Sequence, residues 1–350
     1  MNKIKAAIIG ATGYAGEELF RILYSHPNVE IIKVTSISYE GKNYSDIYQN
    51  FNSLTDLKCE SGSDLEKISK EADVIFIALP HGIASKTVTK EVLNNSKVID
   101  LGADFRIKDK KIYEEWYNVE HFGEDVLKEA VYGLSEIKRE EIKKARLVAN
   151  PGCYTTCSIL SLYPLLKEKL IDKNSIVIDA KSGVTGAGRK ADLGTSYCET
   201  NESIKAYKVA SHRHTPEIEQ ELSLAFGENI KLIFTPHLTP MNRGILATCY
   251  AKLNGKYDYE TVNAIYRKYY GNEKFIRLLK KGIFPETNKV KGSEFVDIGF
   301  EIDERTNSII VIGAIDNLVK GAAGQAVQNM NLMFGFDENS ALEYPPVFPA

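Results

Sequence analysis

The sequence lacks the features that mark secreted, membrane-spanning and nucleic-acid-binding proteins. It has one tryptophan, four methionines and five cysteines, an odd number that is scattered along the chain, so we expect no disulfide framework. No paired C-x-x-C motif indicates zinc, and we expect no metal. No apolar run approaches the ~18 residues of a membrane span. The net charge of −3 gives no electrostatic reason to expect nucleic acid or a membrane as a partner.

A signal peptide is also missing from the sequence pattern, because Lys3–Ile9 already reads as a strand. Scattered cysteines are typical of a compartment where thiols stay reduced, so we expect a cytoplasmic protein. The 350 residues, of which 43% are hydrophobic, are enough to form two packed domains.

The most informative stretch is Asn150-Pro151-Gly152-Cys153, which follows the apolar run Leu147–Ala149 and precedes an amphipathic segment. This pattern predicts a strand, a tight turn and a helix, with Cys153 at the helix N-terminus. Unpaired N–H groups and the helix dipole there favour a thiolate and make the cysteine a candidate nucleophile. The alternative is a small buried cysteine at a turn, which is the usual fate of a lone cysteine.

A glycine-rich turn follows the first strand and indicates a dinucleotide-binding unit. The turn reads G-x-x-G-x-x-G, which departs from the commoner G-x-G-x-x-G fingerprint. Its glycines permit a tight turn and close approach of the backbone to a pyrophosphate. We therefore assign cofactor binding to its residues Gly10, Thr12, Gly13, Tyr14, Ala15 and Gly16.

The segment after the second strand, Val29–Thr35, indicates which cofactor is used. An NAD enzyme usually carries an acidic residue there for the ribose 2′-hydroxyl. This chain has Ser36 and Ser38 instead, with no acid before Glu40 and with Lys42 close by. Small hydroxyls and a cation suit a 2′-phosphate, so we predict NADP.

The pattern of predicted strands differs between the two halves of the chain. Residues 73–79 and 97–101 read as buried strands of a doubly wound sheet, with Pro80 and Arg106 in the turns that follow. After Cys153 the predicted strands 175–181, 231–238, 244–252 and 308–315 are longer and alternate. We predict an α/β Rossmann-type domain from residues 1–150 with 316–350. Residues 151–315 are predicted to form an α+β catalytic and oligomerisation domain with a mixed or antiparallel sheet.

Polar clusters of the second half supply further candidates. The loop from Ser182 and Gly183 to Arg189 could cradle phosphate with its N–H groups. His212 and His214 would face one side of an extended segment and could provide a general acid or base. Thr215 is the predicted N-cap of the next helix and Pro216 its first residue. Arg106 could grip a carboxylate, or be a surface arginine.

The chain resembles the N-acetyl-gamma-glutamyl-phosphate reductase family over essentially its whole length. The matching pieces include the glycine turn, Leu79–Gly82, Asp100–Arg106, Asn150–Tyr154, Ser182–Arg189, His212–Glu217 and Asp316–Ala326. The resemblance implies that NADPH reduces the acyl phosphate of N-acetylglutamate to the semialdehyde through a thioester on Cys153. It implies His212 or His214 as acid/base, Arg106, Asn150 and Arg189 at the substrate, and Asn317 and Lys320 near the nicotinamide. It also implies a homodimer or homotetramer.

Three other functions are compatible with this fold. Aspartate-semialdehyde dehydrogenase acts on a shorter acyl phosphate, and the carrier-bound aminoadipyl-phosphate reductase should carry a basic patch, for which Arg189-Lys190 is weak evidence. A catalytically inactive NADP-binding regulator belongs to a different class. The intact Cys153, the paired histidines and Arg106 argue against the regulator.

Overall fold

A computed structural model describes residues 3–62 and 64–349. The chain forms two compact units. The first contains the described residues up to Pro151 together with Ala322–Glu343. The second contains Gly152–Gly321 and the described residues from Tyr344 onward.

The described part of the chain has fourteen strands and thirteen α-helices. The strands are β1 Ile4–Ile9, β2 Val29–Thr35, β3 Cys59–Glu60, β4 Val74–Ile77, β5 Lys97–Asp100, β6 Val131–Tyr132, β7 Leu147–Ala149, β8 Val177–Ser182, β9 Lys205–Ala206, β10 Ile233–Leu238, β11 Ile245–Lys252, β12 Ile276–Leu278, β13 Val296–Asp303 and β14 Ser308–Ile315. The helices are α1 Tyr14–Tyr24, α2 Tyr44–Ile47, α3 Leu65–Ser69, α4 Ala84–Thr87, α5 Lys90–Asn95, α6 Lys110–Tyr117, α7 Glu124–Leu127, α8 Ser135–Ile142, α9 Cys153–Lys167, α10 Tyr197–Thr200, α11 Thr215–Phe226, α12 Tyr259–Tyr270 and α13 Gly324–Phe334.

The first unit is built on a seven-stranded sheet in the order β3-β2-β1-β4-β5-β7-β6, and every pair of neighbours is parallel. Strand β4 is buried at all four positions, as expected for a parallel sheet with helices on both faces. Strands β1 and β4 are neighbours at the centre of the sheet, and the other strands lie outward on both sides of this pair, so the strand order changes direction between them. The turns after these two strands therefore lie at the edge where ligands bind in open α/β sheets.

The second unit has a seven-stranded mixed sheet in the order β12-β13-β14-β11-β8-β10-β9. Strands β8 and β10 are parallel, whereas β11 runs antiparallel to both β8 and β14. Burial alternates along β11, which gives the sheet one packed face. The predicted fold class, a Rossmann-type unit with an α+β partner, is thus confirmed.

Helix α9 is the central helix of the second unit. Twelve of its fifteen residues are buried, and it packs against α11, α12, β11 and β14. Because α9 is buried on almost all sides, it is not the amphipathic helix that the sequence predicted. Cys153, its first residue, is only half-buried.

The segment that leaves the second unit begins as a π-helical turn, Val319–Ala323, which runs directly into α13. The division between the units falls inside this turn, after Gly321, and not before Asp316 as the predicted boundary of 316 would have it. The reason is local anchoring, because Asp316, Asn317 and Lys320 all have their partners in the second unit.

No helix in the described ranges is both long and apolar enough to cross a membrane.

Candidate active site

The thiol of Cys153 stands at the N-terminus of α9. Gly152 is the N-cap in an extended conformation, so the first N–H groups of α9 surround the position of the cysteine. Burial raises the pKa of Cys157 to about 12 and raises the pKa of Cys249 and Cys59 as well. Cys153 instead combines partial exposure with the positive end of a helix, the environment of a reactive thiolate.

Glu217, from α11, holds the turn that carries this cysteine. Its side chain is fully buried, and its Oε1 accepts the N–H of Gly152 at 2.9 Å. The Thr155 hydroxyl lies 2.9 Å from the same oxygen and 2.6 Å from the Gly152 carbonyl oxygen, so its single proton is shared between them. No local sequence pattern points to Glu217, because 65 residues separate it from Gly152 in the chain.

The two imidazoles lie together, though not as predicted. Residues 211–214 form a turn and not an extended segment, and His214 itself is the N-cap of α11. Thr215 is therefore the first helical residue and not the predicted N-cap, and Pro216 is the second. The rings of His212 and His214 still meet edge to face, with centroids 4.8 Å apart.

Both ring nitrogens of His212 are engaged. Nδ1 accepts the backbone N–H of His214 at 3.1 Å, so the proton of the neutral ring lies on Nε2, 3.4 Å from the Tyr207 hydroxyl. Burial lowers the pKa of His212 to about 2, and the nearby charges of His214, Lys208 and Arg213 add to this effect. Glu217 acts in the opposite direction. His212 is therefore a neutral, firmly oriented ring.

Two tyrosine hydroxyls continue the hydrogen bonds of His212 and fix the orientation of its ring. Tyr207 donates to the Tyr154 hydroxyl at 3.4 Å, and Tyr154 donates to the His237 carbonyl at 3.1 Å. Burial raises the pKa of Tyr207 to about 12 and raises the pKa of Tyr154 further, so both stay neutral donors. The His237 ring lies by Asp179, 3.1 Å from its Oδ1.

The glycine turn of the first unit has three different steric requirements. Gly10 has φ +84°, and a Cβ there would meet the Ala78 carbonyl oxygen at 2.5 Å. A Cβ on Gly16 would meet the Gly10 oxygen at 2.5 Å, but one on Gly13 would meet only that oxygen, at 3.7 Å. Packing within the protein therefore requires Gly10 and Gly16 but not Gly13. Room beside the Gly13 backbone suits the close approach of a pyrophosphate.

The end of β2 has the character that the sequence predicted for a 2′-phosphate. Ser36 is buried, and its hydroxyl lies 2.7 Å from that of Thr12 in the glycine turn. Ser38 and Lys42 are exposed. The neighbouring acid, Glu60, is bound by Lys33 at 2.7 Å. These residues fit NADP. Tyr14 and Ala15 begin α1, and Pro80 lies exposed in the turn after β4.

Arg106 is buried and is not a surface residue. Its Nη2 donates to the Leu101 carbonyl at 2.7 Å, in the turn after β5. The adjacent Asp104 carboxylate accepts the N–H groups of Gly82 and Ser85 and the hydroxyl of Tyr113. Asp104 thereby ties the turn after β4 to the turn that carries Arg106.

Several predicted ligand residues have internal partners instead. The N–H groups of Gly183, Val184 and Thr185, part of the predicted phosphate cradle, donate to carbonyls of residues 241–244. The reason is close packing, because a Cβ on Gly183 would lie 2.5 Å from the Asn242 oxygen. Within this loop Ser182 is buried, and Arg189 is half-buried.

Three more side chains bridge parts of their own units. The Asn150 amide nitrogen donates to the Ala322 carbonyl and its oxygen accepts from Asn329. Asn317 donates to the Thr185 hydroxyl and accepts the Gly244 N–H. Lys320 lies fully buried, 3.2 Å from the Glu294 carboxylate. Each of these predicted ligand residues therefore also makes a contact within its own unit.

The comparisons with known proteins agree with these two units. Residues 5–145 match the family described as "Semialdehyde dehydrogenase, NAD binding domain" and residues 153–317 match "Semialdehyde dehydrogenase, dimerisation domain". Among solved structures, aspartate semialdehyde dehydrogenase II from Vibrio cholerae is similar with a TM-score of 0.72 and 19% identity, covering 96% of this chain and 99% of that one. The enzyme from Candida albicans gives 0.67 and 17%, covering 95% and 99%. At such identities the likeness shows the fold. Fold and thiol thus define an oxidoreductase of the semialdehyde dehydrogenase class.

Sequence relatives give a narrower assignment. N-acetyl-gamma-glutamyl-phosphate reductase of Lachnoclostridium phytofermentans is 58% identical over 346 residues, 99% of this chain and 100% of the relative. The protein of that name from Lachnospira eligens is 56% identical with the same coverage, and one from Campylobacter jejuni is 57% identical over 98% of both chains. The chain belongs to the N-acetyl-gamma-glutamyl-phosphate reductase family. The resemblance drawn from the sequence motifs is therefore confirmed.

Proposed function

We propose that this chain converts N-acetyl-L-glutamyl 5-phosphate and NADPH into N-acetyl-L-glutamate 5-semialdehyde, phosphate and NADP⁺, a step of arginine biosynthesis. The observation that carries the proposal is Cys153, a half-buried thiol at the N-terminus of α9, in a chain 58% identical to a reductase of that name. The aspartate-semialdehyde dehydrogenase alternative is weaker, because the chain is 19% identical to the two such structures from Vibrio cholerae.

The protein's part in the reaction begins with the thiol. Cys153 Sγ attacks the acyl carbonyl, the bond to the phosphate oxygen breaks, and phosphate leaves with the bonding pair, so a thioester remains. N–H groups at the start of α9 donate to the oxyanion formed during the attack. Acylation of the thiol followed by reduction of the thioester divides one difficult reaction into two more accessible steps.

We assign the proton transfers to His214. His212 is engaged on both nitrogens and has a lowered pKa, which suits a residue that orients its neighbour. His214 lies against it at the start of α11 and would take the thiol proton. It would return a proton to the oxygen of the thiohemiacetal, which then collapses to aldehyde and free thiol.

The residues of the glycine turn, Ser36 and Ser38 would hold the cofactor. Gly13 leaves its backbone open to a pyrophosphate, and the Ser36 hydroxyl, bonded to Thr12, would face a 2′-phosphate. When bound, NADPH supplies the hydride that reduces the thioester. Arg106 would pair with the substrate α-carboxylate, and Arg189 would serve the phosphate.

The remaining assignments follow from the family and the composition. The match to a dimerisation domain indicates an oligomer, and we propose a homodimer or homotetramer of a cytoplasmic enzyme. We propose a small-molecule substrate, with neither nucleic acid nor a membrane as a partner.

A reverse assay tests the function directly. Incubation with NADP⁺, phosphate and N-acetylglutamate semialdehyde should produce a rise in reduced-cofactor absorbance that aspartate semialdehyde does not produce. A faster reaction with a carrier-bound aminoadipate semialdehyde would assign the chain to that pathway. NADP binding without turnover of any semialdehyde would indicate the regulator.

The nucleophile is tested by two substitutions. Cys153→Ala should lose turnover by several orders of magnitude while NADP still binds, and Cys153→Ser should be nearly inactive because an alkoxide is far less accessible than a thiolate. Iodoacetamide should label Cys153 before the other four cysteines, as peptide mass spectrometry would show. Substantial turnover by the alanine variant would rule out the thioester.

A further inference from the structure

A fully buried ion pair lies in the second unit. Lys320 Nζ is 3.2 Å from Glu294 Oε1, and neither side chain has any exposed surface. Removing two charges from water is costly, and such pairs are often no more stabilising than apolar residues of the same size. A buried pair is therefore better explained by the position that it enforces than by stability.

Lys320 lies in the π-helical turn Val319–Ala323, so the ion pair helps to fix the position of this turn. Single π turns are frequently found at functional sites. The residue after Lys320 is Gly321, whose Cα packs directly on the nucleophile. A Cβ on Gly321 would lie 2.7 Å from Cys153 Cβ and 3.1 Å from its Cα. The placement of this turn thus limits where the first residue of α9 can lie.

Two contacts tie the turn and the residues just before it to the loop 290–294. Asp316 accepts the N–H of Gly292 at 2.7 Å, and its carbonyl accepts the N–H of Gly321 at 2.9 Å. The Lys320–Glu294 pair makes a second connection to the same loop, which is closed by the Ser293 hydroxyl on the Val290 carbonyl. Loop 290–294 therefore serves as the fixed support of the turn.

We propose that Lys320 and Glu294 are positioning residues, which hold the π turn so that Gly321 supports Cys153 in its reactive place. On this view Lys320 acts through Gly321 and does not touch the cofactor. The inference rests on the proposed role of Cys153 as the nucleophile.

The test compares Lys320→Met, Glu294→Leu and the double variant. Each single change breaks the buried pair and should lower the melting temperature, whereas the double variant, which removes both charges, should regain it. The double variant should bind NADP as tightly as the parent. Its kcat and its rate of Cys153 alkylation by iodoacetamide should fall roughly 10- to 100-fold, the effect expected of a ~1 Å misplacement.

Arg277→Met is the matched control. It removes the partner of Asp297 in a second ion pair, three residues along from Glu294. It should change the melting temperature but neither kcat nor the alkylation rate.

Gly321→Ala tests the last link without touching the charges. It should slow alkylation and turnover and leave NADP affinity unchanged, because the new methyl group must displace Cys153.

Two results would overturn the proposal. A double variant with parental kcat and alkylation rate would show that the pair does not position the nucleophile. Weaker NADP binding with unaltered alkylation would make Lys320 a cofactor residue. Because alkylation needs no substrate, these results stand apart from any failure of the proposed reaction, which the wild-type assay reveals by itself.

Discussion

At the scale of single residues, we propose different tasks for the two histidines. His212 is occupied on Nδ1 by the His214 N–H and on Nε2 by the Tyr207 hydroxyl. From the Tyr207 hydroxyl the hydrogen bonds continue to the Tyr154 hydroxyl and then to the His237 carbonyl. A ring held this way can orient and support its neighbour.

His214→Ala should therefore reduce kcat by about two to four orders of magnitude, the usual loss for a general acid/base. His212→Ala should have a smaller effect on kcat, with lower stability, since a buried ring is lost. Steady-state kinetics with thermal melting separate the two. Tyr207→Phe, which removes only the orienting hydroxyl, serves as the control and should resemble a mild His212 variant. If His212→Ala proves the more damaging to kcat in folded protein, the roles are reversed.

The cofactor preference also depends on one side chain. Ser36→Asp should lower the ratio of NADPH to NADH turnover by about tenfold or more, because like charges ~4 Å apart repel by roughly 1 to 4 kcal/mol between water and a protein surface. Ser36→Ala adds no charge and should change the ratio much less. The measurement is kcat/KM with each cofactor. A parent enzyme that prefers NADH would contradict the proposed contact.

At the scale of elements, strand β5 carries a titratable group in its last position. Asp100 is fully buried, and burial, with the nearby Asp104 charge, raises its pKa to about 7. Its Oδ1 accepts the Gly102 N–H. A carboxyl with a raised pKa binds a proton in the folded state that the unfolded chain has already released. Stability is therefore lost as pH rises from about 4 to about 7.

Asp100→Asn should remove this dependence. The amide oxygen can still accept the Gly102 N–H, and the side chain cannot ionise. The variant should match the parent in chemical denaturation near pH 4 and exceed it above pH 7, by up to a few kcal/mol at ~1.4 kcal/mol per unit of pKa shift. A constant difference in stability across this pH range would show that Asp100 does not titrate there.

Elements were predictable where the pattern was local. The buried run at β4, the glycine turn and the cysteine at the start of α9 could each be found from a few adjacent residues. The ends of helices were harder to predict. The segment His212-Arg213-His214 forms a turn, so the N-cap of α11 is His214 and not Thr215. Strands β12 and β13 were not predicted at all. Contacts such as Glu217 with Gly152 or Lys320 with Glu294 join residues distant in sequence, and no local pattern reveals them.

At the scale of the whole molecule, the first unit is completed by a helix that comes late in the chain. Helix α13 is buried at ten consecutive positions and packs against α1, α8 and β5. A chain ending at Gly321 should therefore expose that core, aggregate and fail to bind NADP. A chain ending at Glu343 should stay folded, since it loses only a tail that bonds to Lys291 through Val347. Size-exclusion chromatography and NADP titration distinguish these outcomes. A monodisperse, NADP-binding chain 1–321 would contradict this account of α13.

The late return of α13 has a consequence for synthesis on the ribosome. The sheet of the first unit is encoded before residue 150, yet its closing helix leaves the exit tunnel only after residues 152–321 of the second unit have been made. Domains usually fold as units during translation, N-terminal first. Here the nascent first half must wait with apolar surface uncovered while the second unit emerges and folds. Chaperone dependence during translation should accordingly be concentrated in the N-terminal half of the chain.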